Sequence, residues 1–485
     1  MVPDVSFDGG DLDCGNGLLL LIRRHIDPMR SGQVLEILST ESSVEEDLPS
    51  WCRLTGNPIV SQSRTGNRRS FLVRKGAGGG GKAGTLLHEA PAAVVQGTSV
   101  PPIAPLSVLG IGSWPRPGWM LRAVHDRLEG RLDETAFEET ARDAVRLAVE
   151  AQLRAGADVV TDGEQRRDSY ASFVGGLLEN CQLIPLTDLL PYVDDPDKFS
   201  EELTALDIPA GEVRHPAVFG PIRRVRPLAL HELAWARTLT EKPVKVALPG
   251  PYLLTRTLWL ECVSEKAYPS REALAEDVVR VLREELQALL ASGASLVQFD
   301  EPVLTEVVFS GGRATRSFMC GALSAKGAPA AELAFARDLL NRVVAGFPQE
   351  RTAMHVCRGN WSKDEGVALS GDYRPLLDLL HAVRVGTFFL ELCTPRAGEL
   401  EVLKGLREDC RVGVGVVNPK SDRIETPEEI MVRAEAAIRV FGADRVLLNP
   451  DCGFATFADK PLAASSVAEG KLRAIVEAAR RLRGG

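Results

Sequence analysis

A short phrase that joins a helix to a strand occurs three times in this chain of 485 residues. Each copy starts at a Gly-Ala pair, continues through an apolar run and closes on acidic residues, at 156–164, 293–301 and 442–451. Glycine suits the left-handed conformation that ends a helix, and a short apolar run is typical of a buried parallel strand. Repeated helix-to-strand joints of this kind predict an α/β fold with a parallel sheet.

Five more segments have the same short apolar character, and with the three copies they give eight candidate strands. They are 108–114, 244–251 and the strands that end near Cys357, Glu391 and Asn418. Eight parallel strands predict a TIM (β/α)8 barrel whose largest insertion is 181–237. A doubly wound sheet is the alternative, but no G-x-G-x-x-G phrase opens a helix after the first strand. In a barrel, the carboxyl ends of the strands form the active site.

The beginning of the chain has strand and helix signals in the order βαβαββ, which is enough for a small α/β unit. A stretch rich in Gly, Ala and Pro follows and is typical of a linker. We therefore expect an accessory domain at 1–76, a linker at 77–105 and the barrel at 106–485.

Side chains that bind zinc close the last predicted strands. His355 and Cys357 are two residues apart on a strand and point to the same side, and Glu391 and Cys452 close two later strands. Imidazole, thiolate and carboxylate groups hold Zn²⁺ tetrahedrally, so Zn²⁺ is the predicted cofactor. This ligand set leaves the site about one unit negative, which favours a bound sulfur nucleophile over a hydrolytic water. The alternative is a closed structural site, although such sites usually take paired ligands from short knuckles.

Composition limits the partners of the chain. No apolar stretch approaches the roughly 20 residues that a membrane span needs, and the N-terminus has no secretion-signal pattern. Nine cysteines, an odd number, are more typical of thiols and ligands than of a disulfide framework. The net charge of −9 argues against a nucleic-acid surface. We expect a cytoplasmic protein that binds neither membranes nor nucleic acid.

The strand ends resemble the catalytic barrel of cobalamin-independent methionine synthase, from residue 108 to the C-terminus. Six phrases occur in the family's order: Ile111-Gly112-Ser113, Asp162-Gly163-Glu164, Leu248-Pro249-Gly250-Pro251, Gln298-Phe299-Asp300-Glu301-Pro302, His355-Val356-Cys357 and Asn449-Pro450-Asp451-Cys452-Gly453. The resemblance implies a zinc enzyme that moves a methyl group from methyltetrahydrofolate to homocysteine, giving methionine.

The resemblance also assigns roles to individual residues. It implies zinc ligation by His355, Cys357, Glu391 and Cys452, with Glu399 near the third of these positions. It implies binding of homocysteine by Ile111, Ser113, Glu164 and Asp300. Lys420 follows the seventh strand, where the family has a histidine acid, and is the expected proton donor or anion contact. Asp300 and Glu301 are the other expected catalytic residues.

The methyl donor is open between two classes. Full-length methionine synthases carry a second barrel that helps to bind the folate tail, and no segment of this sequence replaces it. Short single-barrel relatives are thought to take methyl groups from corrinoid proteins. We therefore expect a small thiol, homocysteine, as acceptor and either methyl-folate or a methyl-corrinoid protein as donor.

The first 75 residues resemble the TusA-like sulfur-carrier family. The similarity depends on Leu12-Asp13-Cys14 ahead of an apolar helix and on the phrases at 33–37, 47–52 and 70–76. The family carries a persulfide on the Cys of a Cys-Pro-x-Pro motif, whereas this chain reads Cys14-Gly15-Asn16-Gly17. A Cys at a helix N-terminus has a lowered pKa, so Cys14 is a candidate sulfur carrier and a sulfur-donating protein is a candidate partner.

Three functions remain open at this point. The first is a zinc-dependent S-methyltransferase that acts on homocysteine. The second is a sulfur relay in which a Cys14 persulfide supplies the barrel. The third is a zinc-containing thiol sensor without catalysis.

Overall fold

The computed structural model describes residues 2–12, 17–76, 100–185, 214–259, 264, 267–309, 327–459 and 461–484. Cys14 and most of the predicted linker lie outside these residues. Among the described residues, no helix combines the length and apolar character that crossing a membrane requires.

The N-terminal part is a four-stranded sheet with two helices. Its elements are β1 Val5–Asp8, α1 Leu18–Ile26, β2 Val34–Ser39, α2 Val44–Thr55, β3 Ile59–Thr65 and β4 Arg68–Arg74. The sheet order is β1-β2-β4-β3, with β1 parallel to β2 and the other pairs antiparallel. Leu18 and Ile22 of α1 pack on Ile37 and Phe71 of the sheet. The predicted βαβαββ order is confirmed.

The second part is a closed parallel barrel. Six of its strands are β7 Lys245–Pro249, β8 Leu296–Asp300, β9 Thr352–Val356, β10 Thr387–Leu390, β11 Arg411–Val417 and β12 Val446–Pro450. They form one sheet in the order β12-β11-β10-β9-β8-β7. Two short segments close the ring through the parallel bridges Val108–Leu448, Leu109–Val159 and Val160–Val244. The ring therefore has eight positions, which confirms the predicted TIM barrel.

Helices surround the ring, and apolar side chains fill its interior. The helices are α3 Gly118–Leu128, α4 Glu134–Ala155, α5 Leu230–Thr238, α6 Pro251–Thr257, α7 Arg271–Ala291, α8 Val303–Phe309, α9 Pro329–Val344, α10 Leu377–Ala382, α11 Pro427–Phe441 and α12 Ser465–Leu482. Leu109, Val159, Leu296 and Phe389 form a buried cluster inside the barrel. Such a filled interior leaves the strand ends as the place for a site.

The predicted insertion contains a hairpin that contacts the N-terminal domain. Its strands are β5 Cys181–Pro185 and β6 Arg214–Val218, and the residues between them lie outside the described chain. Gln182 donates a hydrogen bond of 2.8 Å from Nε2 to Oδ2 of Asp27. The guanidinium of Arg24 lies 5.7 Å from the centroid of the Phe219 ring. The last turn of α1 and the residue that follows it therefore contact the barrel domain.

Candidate active site

Three of the four predicted zinc ligands meet at the carboxyl end of the barrel. His355 lies near the end of β9, Cys357 directly follows that strand, and Cys452 follows β12. One ligand atom from each residue lies within 4.8 Å of the other two, and all three side chains are buried. The two-residue period of β9 brings His355 and Cys357 to one side, and closure of the barrel adds Cys452.

The bonding of these side chains fits a metal ion. His355 Nδ1 lies 3.0 Å from Oδ1 of Asp300, while Nε2 is buried and has no hydrogen-bond partner among the described residues. A buried ring nitrogen without a partner beside two thiols is the arrangement that a metal-binding histidine requires. A hydrogen bond from Cys452 lowers the pKa of Cys357 to about 7, so one thiolate forms readily. One imidazole and two sulfur atoms suit zinc.

Glu391, predicted as the third ligand in chain order, lies outside this three-residue group. It is fully buried, whereas the alternative Glu399 is exposed. Oε1 of Glu391 accepts two hydrogen bonds from Arg396, and Oε2 accepts from the backbone N–H of Arg358 and from Asn360 Nδ2. Glu391 would have to exchange some of these bonds to reach a metal ion, and its ligand role stays a prediction.

A cleft at the carboxyl end of the barrel contains His355, Cys357 and Cys452, which form the candidate metal-ligand group. All four residues predicted to bind the substrate line it, together with the three ligands: Ile111, Ser113, Glu164, Asp300, His355, Cys357 and Cys452. Tyr170, Trp361 and Thr456 are among the other residues of its wall. Two carboxylates, a hydroxyl and a thiol-imidazole centre thus face one small space, which suits an amino acid that carries a thiol.

Two glycines of the sequence phrases allow close contacts in this cleft. A Cβ added to Gly453 would lie 2.2 Å from Oγ of Ser113, and one added to Gly112 would lie 2.1 Å from Oε1 of Glu164. Ser113 Oγ also accepts a 3.2 Å hydrogen bond from the backbone N–H of Ala455. Any larger side chain at either glycine would therefore displace a cleft residue.

Glu164 has a strained backbone and a perturbed side chain. Its φ of 53° is rare for a residue other than glycine, and it is supported by Asp162 Oδ1, which accepts from the Glu164 N–H at 3.0 Å. Arg116 donates to the Glu164 carbonyl at 2.5 Å. Burial raises the pKa of Glu164 to about 7, although Arg167, 3.9 Å from Oε1, acts in the opposite direction.

Sequence analysis did not single out Arg116, Arg167 or Lys245, all of which are buried near the cleft. Lys245 had the clearest signal, because it is a charged residue inside an apolar strand segment. The two arginines follow strand ends and carry no periodic signal, so only their contacts identify them.

Two predicted catalytic residues are not among the residues that line the cleft. Both carboxylate oxygens of Glu301 accept from backbone N–H groups of α6, those of Tyr252 at 2.8 Å and Leu253 at 2.9 Å. Glu301 therefore satisfies the start of a helix. Lys420 is buried and donates from Nζ to the Asp364 carbonyl at 2.9 Å. Burial lowers the pKa of Lys420, and the charges of Glu391 and Cys452 oppose this effect.

The fold and the site together indicate a class of protein. An eight-stranded parallel barrel with polar and sulfur-containing side chains around a cleft at its strand ends is typical of a barrel enzyme that acts on a small molecule. Residues 106–184 and 208–481 match the model of the cobalamin-independent synthase catalytic domain, so the chain belongs to this family. It is a methyltransferase by its family. Residues 17–75 match the model of sulfurtransferase TusA, as the N-terminal resemblance predicted.

Curated relatives and solved structures agree with this assignment. A methionine synthase of Thermococcus kodakarensis is 27% identical over 353 residues, which are 73% of this chain and 87% of the relative. A methionine synthase of Pyrococcus furiosus is 27% identical over 383 residues, 79% of this chain and 94% of the relative. The structure of a B12-independent methionine synthase from Shewanella sp. W3-18-1 in complex with selenomethionine is 24% identical, covers 79% of this chain and 98% of its own, and has a TM-score of 0.60. This structure supports the fold.

Proposed function

We propose that this protein is a zinc-dependent S-methyltransferase that converts homocysteine to methionine. The observation that carries the proposal is the single cleft in which His355, Cys357 and Cys452 lie beside Ser113, Glu164 and Asp300. The curated relatives named methionine synthase support the choice of homocysteine as the thiol.

The metal ion would be held by His355, Cys357 and Cys452, with Glu391 as the proposed fourth ligand. When bound, zinc supplies the chemistry of keeping a thiol deprotonated at neutral pH, where a free thiol of pKa about 8.5 is mostly protonated. Asp300 would bind the substrate amino group while its Oδ1 keeps its bond to His355. This double contact links the position of the substrate to the position of the metal ligand.

The carboxylates and the hydroxyl position the substrate sulfur. Glu164 and Asp300 would bind the ammonium group of homocysteine, and Ser113 would contact its carboxylate. Methyl transfer to sulfur is an in-line displacement, so its rate depends on the alignment of sulfur, methyl carbon and leaving group. Lys420 is the proposed acid. It does not line the cleft, so its Nζ would have to exchange its bond to the Asp364 carbonyl for a contact with the leaving group, and burial, which lowers its pKa, makes proton release easier.

The methyl donor is either methyl-folate or a methyl-corrinoid protein. Most of the length of the curated relatives aligns with this chain, 87% and 94% for the two archaeal proteins. A donor panel therefore decides between the two classes.

The test is product analysis by mass spectrometry. Zinc-loaded protein is incubated with homocysteine and a panel of methyl donors, and methionine is the expected product. Cys452→Ser should abolish turnover and zinc binding. Cys410→Ser is the matched control, because Cys410 is also buried but bonds to the Arg407 carbonyl outside the cleft. Absence of methionine with every donor would reject the proposal, and bound zinc and homocysteine without turnover would favour a thiol sensor.

The sulfur-relay alternative makes a different prediction for Cys14→Ser. That variant should keep methyl transfer in the proposed function and lose turnover in a relay. The match of residues 17–75 to sulfurtransferase TusA keeps the relay as a candidate. The domain contact involves Arg24 and Asp27 at the C-terminal end of α1, and Leu18 at the other end is about 9 to 14 Å away along the helix. This contact does not use the end of α1 that follows Cys14 in the chain.

A further inference from the structure

Lys245 is a buried cation inside the barrel. It is the first residue of β7, and its side chain is 1% exposed. Its Nζ donates to the Ile111 carbonyl at 2.5 Å and to Gln298 Oε1 at 2.6 Å, and lies 4.5 Å from the centroid of the Phe389 ring. Burying an ammonium group costs free energy unless its environment compensates. Of its two acceptors, Ile111 lines the cleft and Gln298 bonds to Asp300.

A chain of hydrogen bonds connects Lys245 to His355. Gln298 accepts from Lys245 through Oε1 and donates through Nε2 to Oδ1 of Asp300 at 2.7 Å. The same Oδ1 lies 3.0 Å from His355 Nδ1. Four side chains from β7, β8 and β9 thus form one continuous path.

The donor and acceptor properties of these groups give the path a direction. Gln298 donates through its amide NH₂ to Asp300, so its amide oxygen faces Lys245 and accepts from the lysine Nζ. Ionised Asp300 can only accept, so the proton of a neutral His355 ring must lie on Nδ1. Nε2 then presents its lone pair, and this is the nitrogen without a hydrogen-bond partner among the described residues.

We propose that Lys245 is a positioning residue that acts through Gln298 and Asp300 to fix the tautomer in which His355 offers Nε2 to a metal ion. The proposal rests on the metal site of the proposed function, but it does not depend on the methyl donor or the thiol. It assigns a role to a lysine that touches no substrate.

The charges around Lys245 agree with this role. Burial lowers the pKa of Lys245 to about 7, and Asp300 and Glu164 oppose that effect. Asp300 and Glu164 both line the cleft, so the ammonium group of Lys245 also offsets part of their negative charge.

Two measurements on Lys245→Met test the proposal. Long-range ¹H–¹⁵N NMR of metal-free protein labelled at histidine reports which ring nitrogen of His355 carries the proton, with the signal assigned by a His355→Gln variant. In the neutral ring, wild-type protein should carry the proton on Nδ1, and Lys245→Met should show a mixture of the two neutral forms. Competition with a chromophoric chelator should show Zn²⁺ binding weakened by about 10-fold, the lower end of the range for losing a partner bonded directly to a metal ligand, because Lys245 acts on His355 through two intervening side chains.

Two further variants make the result specific. Gln298→Met keeps the lysine but interrupts the path, so it should change the tautomer and the Zn²⁺ affinity in the same direction, and it decides the matter if Lys245→Met fails to fold. Lys471→Met is the matched control. Lys471 is fully buried in the same barrel domain and pairs with Glu425 at 2.7 Å, so its loss should reduce stability without changing Zn²⁺ affinity.

The outcomes separate this inference from the proposed function. Wild-type protein that binds no Zn²⁺ would refute the metal site itself. Wild-type protein that binds Zn²⁺, with Lys245→Met and Gln298→Met binding equally well in the same His355 tautomer, would overturn the inference alone.

Discussion

The raised pKa of Glu164 predicts how binding of an amino acid depends on pH. Burial raises this pKa to about 7, and the nearby charges of Asp300 and Asp162 act in the same direction. An ammonium group needs the ionised carboxylate, so affinity should be constant above pH 8 and fall below pH 7. At pH 6 about one carboxylate in ten is ionised, which weakens binding about tenfold, or by about 1.4 kcal/mol.

Methionine is the best ligand for this measurement because it has the amino and carboxylate groups but no titrating thiol. Its affinity for the metal-free protein is measured by calorimetry from pH 5.5 to 8.5, an interval chosen to bracket the Glu164 pKa of about 7. Glu164→Gln should bind methionine weakly, and its plot of affinity against pH should show no change of slope near pH 7. Asp168→Asn is the matched control, since burial also raises the pKa of Asp168 but this residue does not line the cleft.

The raised pKa of Glu164 also makes the stability of the folded protein depend on pH. The pKa of Glu164 is higher in the folded protein than the ordinary value of 4.5, so the folded state holds the proton more tightly. Its contribution to stability is complete below pH 4.5 and is lost as pH rises to 7, a change of about 3 kcal/mol. Glu164→Gln should remove this part of the pH dependence of unfolding. The reasoning would be refuted if the wild type bound methionine with the same affinity at pH 6 and pH 8. It would also be refuted if the affinity of Glu164→Gln still changed with pH near pH 7.

Three other results are expected. Gly453→Ala should raise the KM for the thiol while metal content stays normal, because the new Cβ would lie 2.2 Å from Ser113 Oγ. Steady-state kinetics and metal analysis test this expectation, and an unchanged KM would contradict it. Removal of the metal by a chelator should abolish methyl transfer and added Zn²⁺ should restore it, whereas activity that persists in verified metal-free protein would exclude a metal role. Glu301→Ala should lower the free energy of unfolding by about 2 to 4 kcal/mol, because two buried N–H groups lose their acceptor; denaturant titration measures this, and a change below about 1 kcal/mol would argue against the helix-start role.

Much of the fold could be predicted from local patterns. Gly156, Gly293 and Gly442 all have positive φ values, 88°, 86° and 82°, which favour glycine, although the ψ of 147° at Gly442 lies outside the left-handed helical region. The period of a strand was enough to bring His355 and Cys357 to one side. Both patterns depend only on residues close in sequence, and for that reason a sequence reveals them.

Adjacent acidic residues show where local patterns were insufficient. Asp300 and Glu301 were both expected to be catalytic, yet Asp300 lines the cleft and Glu301 accepts from the start of α6. Strand alternation separates such neighbours, but it does not say which of them faces the site. The answer depends on Gly250, where an added Cβ would lie 2.2 Å from Glu301, and on the position of α6.

Local sequence patterns were enough to predict the eight-stranded barrel, the N-terminal α/β unit and the chemical types of the side chains at the strand ends. The hydrogen bonds of Glu391 to Arg396 and Asn360, and the path from Lys245 to His355 through Gln298 and Asp300, could be seen only in the folded chain. Secondary structure follows from the spacing of apolar residues along a few turns or strands. Burial, charge and hydrogen bonding follow from every neighbour in space, and in a closed barrel those neighbours come from distant parts of the chain.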